Sequence, residues 1–123
     1  MSGKTRPVLP LFTQRFTYLL GNVKWIERGR ITTHDKTSLA RMMTMSGFPV
    51  SPQYIGKLAT GEQANPSAYF VMTAGNVFGD TIQFKIGARY FFESEWEERI
   101  NHHLSRRNKE LERYLATRMT ANR

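Results

Sequence analysis

The sequence contains no cysteine, and this absence excludes disulfide frameworks, thiolate zinc sites, iron–sulfur clusters and cysteine nucleophiles. Long apolar runs are also missing. The longest, such as residues 69–72 and 90–92, fall far short of the ~20 residues that a membrane helix needs. The first residues lack the continuous apolar segment of a signal peptide. We therefore expect a soluble, cytoplasmic protein that does not enter a membrane.

Acidic residues are scarce relative to basic ones. The 123 residues include 18 Lys and Arg against 10 Asp and Glu, which gives a net charge of +8. Residues 1–30 alone hold six basic residues and one acidic residue. A surplus of this kind favours a polyanionic partner, although a basic balance can also serve solubility alone. The length suits one small domain and excludes a large multidomain enzyme.

The chain divides into three parts. Residues 1–9, which include Lys4 and Arg6, are predicted to form a flexible basic arm. Residues 10–92 are predicted to form a helical domain, and residues 93–123 one long C-terminal helix. A first helix is expected from Pro10 to near Glu27 because apolar residues recur there at helical spacing; they are Phe12, Phe16, Leu19, Leu20 and Val23.

Two short helices follow. Asp35 is a good N-cap for the second helix of the chain, which ends at Gly47. The third helix carries three start signals: Ser51 as the N-cap, Pro52 at the first helical position, and Val50 with Ile55 as a hydrophobic staple. It ends at Gly61. Helical spacing places its polar residues on the face opposite the apolar ones; they are Gln53, Lys57 and Thr60, with Tyr54 on a flank.

The remaining elements are a fourth helix and the C-terminal helix. Asn65 as cap and Pro66 at the first position predict the start of the fourth helix, and Gly79 with Asp80 its end. The alternation of residues 81–86 allows a short strand, but we favour an irregular or helical segment there. The final helix is predicted to start near Ser94. We therefore expect an all-α fold.

The second and third helices, joined by a turn that contains glycine, form a candidate helix-turn-helix. In such a motif the second helix enters the DNA major groove and its side chains contact base edges. We assign base contacts to Ser51, Gln53, Tyr54 and Lys57. Phosphate contacts are expected at helix starts and flanks, namely at Lys36, Thr37, Thr60, Gln63 and Ser67. The simpler alternative is an α-hairpin with a solvated face, in which Ser67 only caps a helix.

The segment Phe48-Pro-Val-Ser-Pro-Gln-Tyr-Ile-Gly-Lys-Leu-Ala-Thr-Gly61, with a downstream Asn-Pro-Ser at 65–67 and Tyr90-Phe91, resembles the helix-turn-helix of XRE-type repressor-like regulators. It is most similar to the actinobacterial EspR-like group, which shares Ser-x-x-Tyr-Leu-x-x-Leu-x-x-Gly and Asn-Pro-Ser. The resemblance covers about residues 11 to 100. It implies a DNA-binding domain followed by a C-terminal helical part that mediates dimerisation. About six extra residues between Phe78 and Tyr90 depart from the pattern.

Apolar residues of the final helix recur at spacings that suit a helix–helix seam. We expect a homodimer interface at Leu104, Leu111, Tyr114 and Leu115, with packing on the protein's own core as the alternative. Together these features predict a sequence-specific transcriptional regulator that binds double-stranded DNA near the nucleoid. The alternatives are an architectural DNA-binding protein with weak sequence preference and an antitoxin-like module that binds a protein partner.

Catalysis is the least supported function. Glu98 and His102 lie four residues apart and could share a metal, but the sequence has no complete metal-binding motif and no phosphate-binding glycine loop. We therefore expect no enzymatic activity, no metal and no cofactor.

Overall fold

The structure, a computed structural model, describes residues 8–63, 66–91 and 94–121. These residues are mostly helical, which confirms the prediction of a mainly helical fold. In chain order the elements are α1 (Val8–Asn22), β1 (Lys24–Glu27), β2 (Arg30–Thr33), α2 (Lys36–Met45), α3 (Pro52–Thr60), α4 (Ala68–Ile82), a short 3-10 helix (Ala88–Phe91) and α5 (Ser94–Ala121). No helix among them is long and apolar enough to cross a membrane.

Aromatic side chains of α1 form the centre of the core. The rings of Phe12 and Phe16 stack at 5.3 Å, and both meet Phe70 of α4 edge to face. Phe91 lies 5.3 Å from Phe12, and Phe78 lies 6.1 Å from Phe16. All five side chains are fully buried. The helical spacing in α1 thus identified a true core face, and α4 and the segment after it pack against that face.

The first helix is shorter than predicted. It ends at Asn22, and the chain then forms an antiparallel hairpin in which Trp25 pairs with Thr32. The two-residue turn uses Arg28 and Gly29 with φ of 54° and 77°. The expected continuation to Glu27 is wrong because this left-handed turn lies between two short runs of aromatic and β-branched residues, which favour strands.

The boundaries of α4 also differ from the prediction. Ser67 is the N-cap, accepting a hydrogen bond from the Phe70 N–H at 3.1 Å, and the helix begins one residue later. Pro66 therefore precedes the helix, and the proposed cap Asn65 lies outside the described residues. The helix continues past Gly79 to Ile82, and Gln83 ends it with φ of 58°.

Residues 81–86 are helical and then irregular, as we favoured, and they do not form the possible short strand. Ile82 belongs to α4, and the residues after Gln83 run back irregularly across that helix. The close approach depends on two glycines. A Cβ on Gly75 would lie 2.6 Å from the Ile86 carbonyl oxygen, and one on Gly79 would lie 3.0 Å from the carbonyl oxygen of Phe84. The alternating apolar residues therefore pack on a helix and pair with no strand among the described residues.

A buried arginine joins three elements of the body. Arg15 of α1 donates to the Tyr90 carbonyl at 2.6 Å and to the Glu97 carboxylate at 3.3 Å. Its guanidinium also lies 6.0 Å from the centre of the Tyr90 ring. Tyr90 in turn donates its hydroxyl to Asn101 of α5 at 3.0 Å. These bonds fix the start of α5 on α1 and the 3-10 helix.

The first half of α5 shares the core of the preceding helices. Ile100 and Leu104 are buried in the same apolar cluster as α1 and α4. Arg107 donates to the backbone carbonyls of Lys24 and Thr81, and Asn108 donates to that of Asn22 at 3.1 Å. The chain therefore forms one packed body as far as this point of α5, beyond which residues 109–118 are largely exposed.

The predicted basic arm falls almost entirely outside the described residues. Residues 1–7, with Lys4 and Arg6, are not described, whereas residues 8 and 9 belong to the first turn of α1. Of the predicted arm, the two described residues are therefore helical.

Candidate nucleic-acid interface

The start of α2 is fixed by a reciprocal capping box. The Asp35 carboxylate accepts the Ser38 N–H at 2.7 Å, and the Ser38 hydroxyl accepts the Asp35 N–H at 3.0 Å. These bonds satisfy orphan donors of the helix and stabilise the carboxylate form. The Ser38 backbone bond is the main reason that the pKa of Asp35 lies below its ordinary value. The predicted cap is confirmed, and it sets where Lys36 and Thr37 stand.

His34 also contacts the start of α2, on its buried side. It is buried, with one ring nitrogen 3.4 Å from the Ser38 hydroxyl and the other 3.3 Å from the hydroxyl of Thr81 in α4. The ring also lies 4.7 Å from that of Trp25. Burial lowers the pKa of His34, while the neighbouring Asp35 carboxylate opposes this shift weakly. The neutral imidazole thus connects the hairpin, α2 and α4.

The helix α3 begins and ends as predicted. The Ser51 hydroxyl accepts the Tyr54 N–H at 3.1 Å, Pro52 occupies the first helical position, and Gly61 ends the helix with φ of 86°. Val50 and Ile55, the predicted staple residues, both pack on the core. A nine-residue helix is marginal alone, so these caps and contacts hold its position.

The two faces of α3 differ as the spacing predicts. Ile55 and Leu58 are fully buried, whereas Gln53, Lys57 and Thr60 are exposed. At 100° per residue the three polar residues fall within an arc of about 60°, spread over about 10 Å of helix. An α-helix of ordinary diameter fits into a major groove.

Lys36 lies along one edge of this polar face. A Cβ on Gly56 would stand 3.2 Å from Lys36 Cδ and 3.3 Å from its Nζ, so the lysine stem covers the glycine. The Lys36 ammonium therefore lies against the backbone of α3 at Gly56. Glycine at this position leaves room for the end of the Lys36 side chain. The sequence prediction treated Gly56 only as a residue without a side chain and missed this role.

The other edge of α3 leads to α4. The Tyr54 ring is half-buried and meets Phe70 edge to face at 5.6 Å, so it packs against the first turn of α4. Ser67, the cap of that turn, is exposed. Lys36 and Ser67, two of the predicted phosphate contacts, therefore lie on opposite flanks of the helix.

The remaining predicted contact residues make local bonds. The Thr60 hydroxyl donates to the Lys57 carbonyl at 3.2 Å and accepts the N–H of Glu62 at 3.4 Å. Gln63 is half-buried, and its N–H also donates to the Lys57 carbonyl. Thr37 is exposed in the first turn of α2. The structure thus gathers all nine predicted contact residues around α3 or at the adjoining helix ends.

A second basic surface was not predicted. Arg28 and Arg30 are exposed at the turn of the hairpin. The Arg28-Gly29 pair lies between two short runs that favour strands, and this pattern could have predicted the hairpin turn. Glu27 is exposed beside the two arginines, so the turn has a net charge of +1. The residues around α2 and α3 have the same net charge of +1, with Lys36, Arg41 and Lys57 against Asp35 and Glu62.

The predicted dimer residues separate into two groups. Leu104 is fully buried in the protein's own core, so it offers no surface for a partner and its assignment to the interface is wrong. Leu111 and Leu115 are half-buried and Tyr114 is 51% exposed, all on the projecting part of α5. Arg118 donates to the Tyr114 hydroxyl at 2.9 Å and covers its ring. Helical spacing alone cannot separate intramolecular from intermolecular contacts.

The described residues contain no group of three or more His, Asp and Glu side chains placed to hold a metal ion. A scan of the chain against models of known protein families finds no match, and a search of the curated proteins finds none either. A function for this chain is therefore inferred from the geometry and chemistry of the site itself.

Proposed function

We propose that the protein is a sequence-specific DNA-binding transcriptional regulator that acts as a homodimer in the cytoplasm, with α2 and α3 forming a helix-turn-helix. The observation that carries this proposal is the exposed polar face of α3, with Gln53, Lys57 and Thr60 on a capped helix whose opposite face is buried. Under this proposal the resemblance of residues 51–67 to XRE-type regulators reflects shared function.

Each side chain has a distinct part in the proposed complex. Gln53 makes a bidentate contact with adenine, and Lys57 reaches guanine or a phosphate. Lys36 contacts a phosphate at one edge of α3, and Ser67 does so at the other. The Tyr54 ring holds α3 on α4, so only its hydroxyl end faces DNA. Base discrimination thus depends mainly on Gln53 and Lys57.

The projecting part of α5 supplies the proposed dimer contact. Leu111, Tyr114 and Leu115 lie on one side of the helix, in its largely exposed distal part. A two-fold pairing of these residues would present two copies of α3 to DNA. A palindromic or repeated site is the expected target.

The proposal is tested by selecting binding sites from random DNA and comparing affinities for the selected site and for random sequence. A specific regulator binds the selected site roughly 10³-fold or more tightly than random DNA at equal salt. A ratio near one, with affinity that falls steeply as salt rises, would replace this function with architectural DNA binding.

A protein-binding module is the second candidate, and exposed apolar side chains favour it. Met45 of α2 is 74% exposed and Tyr69 of α4 is 63% exposed, and the Tyr69 ring stacks on Phe48 at 5.3 Å. Large exposed apolar residues are frequent in interaction sites. Co-purification of a stoichiometric protein partner with no retained DNA would support this candidate over the first.

A further inference from the structure

Gly56 stands in the interior of a helix. It is the fifth of the nine residues of α3, where glycine is less favourable than alanine because it loses more conformational freedom on folding. Its backbone lies outside the left-handed region, unlike that of Gly61 at the end of the same helix. Alanine could therefore adopt the same backbone conformation, and the helix itself does not require a glycine here.

The space around Gly56 differs from that around the glycines of α4. A Cβ on Gly75 would lie 2.6 Å from a backbone carbonyl oxygen, which cannot move unless the segment that crosses α4 moves with it. The three heavy atoms nearest to a Cβ on Gly56 all belong to the Lys36 side chain, with Cδ at 3.2 Å, Nζ at 3.3 Å and Cε at 3.4 Å. A flexible side chain can yield where a backbone cannot. Gly56 thus accommodates the end of one lysine side chain rather than the path of the main chain.

Lys36 also occupies a position that does not favour it. It is the first residue of α2 and directly follows the cap Asp35. The N-terminus of a helix carries a partial positive charge, so a cation there is less favourable than a neutral or acidic residue. Lys36 is exposed, whereas Gly56 beneath the end of its side chain is buried. The lysine therefore extends from the start of α2 over the middle of α3.

Two residues that each disfavour their own helix thus meet at one contact. Caps and apolar spacing elsewhere in α2 and α3 agree with the fold, and departures from such local agreement are typical of functional sites. The contact also lies beside the polar face of α3, since Gly56 is about 40° around the helix axis from Thr60 and about 60° from Gln53. The Lys36 ammonium is therefore held at the edge of the face that is proposed to read DNA.

We propose that Gly56 is a positioning residue, which holds the Lys36 ammonium at this edge for contact with a DNA phosphate although α3 is less stable for it. A methyl group at position 56 would displace the ammonium and exclude water from it. A long side chain that is already in place loses less freedom when it binds. This role rests on the proposed function, because only bound DNA brings a phosphate to this edge.

Gly56→Ala should change DNA binding and stability in opposite directions. Affinity for the selected site should fall about twofold to fivefold, the size of one exposed charge interaction. The slope of the logarithm of the binding constant against the logarithm of salt concentration should become smaller, by at most about one. The midpoint of thermal unfolding should instead rise by roughly 2–4 °C, because alanine favours the helix. A variant with a lower midpoint would contradict a glycine kept for Lys36 rather than for packing.

Gly21→Ala is the matched control for the gain in stability. Gly21 is exposed in α1, outside the proposed DNA site, and a Cβ there meets no atom within 4 Å. This variant should also unfold at a higher temperature, but its affinity and salt dependence should match those of the unaltered protein. A loss of affinity in Gly21→Ala would show that added stability alone weakens binding, against a specific role of Gly56.

A double-mutant cycle with Lys36→Ala tests whether Gly56 acts through the lysine. With the long side chain removed there is no ammonium to displace, so Gly56→Ala should cause no further loss of affinity. The rise in unfolding temperature should be larger in this background, because the new methyl group no longer meets Lys36. A loss of affinity of the same size in both backgrounds would mean that Gly56 acts on DNA directly, and would overturn the proposal.

The outcomes separate the role of Gly56 from the proposed function. If the unaltered protein binds the selected site but Gly56→Ala binds it equally well with the same salt dependence, only the role of Gly56 is wrong. If the unaltered protein does not bind DNA, the proposed function fails and this role with it. The unfolding temperatures of the cycle need no DNA, and equal rises in the two backgrounds would show that Lys36 does not lie over Gly56.

Discussion

The two helices with proposed binding roles, α3 and α5, are held in opposite ways. The nine residues of α3 are capped at both ends, and its buried side chains Ile55 and Leu58 reach the centre of the core. The described contacts between the 28 residues of α5 and the body are made by Ile100, Leu104 and the bonds of Arg107 and Asn108. Residues 109–121 continue for about 20 Å beyond these anchors.

The difference suits the two proposed roles, because α3 has to hold its side chains in place and distal α5 has to contact a second copy of the chain. A side chain on α3 keeps a fixed relation to the rest of the protein, as base readout requires. A side chain on the distal part of α5 can change with little effect on the core. Substitutions in α3 anchors should therefore affect folding, whereas those in distal α5 should affect association.

The largest expected effect is at Leu58. Leu58→Ala should lower the free energy of unfolding by about 2–5 kcal/mol because it leaves a cavity under α3. Leu111→Ala removes the same atoms from a half-buried position and should cost about 1 kcal/mol. Urea denaturation at one low protein concentration measures both. Equal losses would mean that distal α5 is anchored as firmly as α3.

A smaller loss of unfolding free energy is expected for a substitution in α4, which packs against other parts of the core. Gly75→Ala should destabilise the protein by about 1–3 kcal/mol, since the new Cβ would overlap the Ile86 carbonyl. Gly21→Ala is the matched control in α1, where a Cβ meets no atom within 4 Å. It should stabilise the protein by up to about 1 kcal/mol. If Gly75→Ala leaves the free energy of unfolding unchanged, residues 84–87 do not need a glycine at position 75 to cross α4.

Association is tested by placing charges on the projecting helix. The double variant Leu111→Glu, Leu115→Glu should sediment as a monomer, because two apolar contacts become repulsive across a two-fold axis. Its thermal unfolding, measured at low concentration, should change little. A Lys109→Glu, Glu110→Lys variant, which exchanges two exposed charges at the start of the same segment, is the control. A dimer that persists in the double variant would place the interface elsewhere.

The smallest effect concerns pH. Burial places the pKa of His34 below its ordinary value of 6.5, so on acidification the unfolded chain binds a proton before the folded protein does. Stability should therefore fall as pH decreases through about 6.5, with a smaller slope in His34→Gln. His103, whose pKa is also lowered by burial, remains in both proteins and cancels in the difference. The capping carboxylate of Asp35 loses its contribution only below its ordinary value of 3.8. Chemical denaturation at several pH values measures the change of unfolding free energy with pH in both proteins. The same change in both would show that His34 is not kept neutral by burial.

The parts of the fold that depend on local chemistry were predictable. Ser51, Pro52 and Gly61 define α3 by the cap, the missing N–H and a left-handed turn, all of which act within a few residues. The exposed face of α3 followed from spacing alone. The prediction that this face reads DNA stays a prediction.

The errors at the end of α4 and at Leu104 share a physical cause, which is packing between residues far apart in sequence. The late end of α4 depends on the segment that crosses Gly75 and Gly79, and the pattern of residues 81–86 could not show which surface it meets. Leu104 and Leu111 have the same heptad spacing, yet one lies inside the body and the other beyond it. The hairpin at residues 24–33 was missed because the helical pattern of α1 was extended past Val23.

The central claim, that α3 reads base sequence, is tested most directly by comparing Gln53→Ala with Lys36→Gln on the selected DNA site and on its single-base variants. Gln53→Ala should reduce discrimination at one base pair by about 1–3 kcal/mol. Lys36→Gln should instead weaken binding to all sequences alike. It should also reduce the slope of the logarithm of the binding constant against the logarithm of salt concentration by about one. If Gln53→Ala leaves every base preference intact, α3 is not the reading helix.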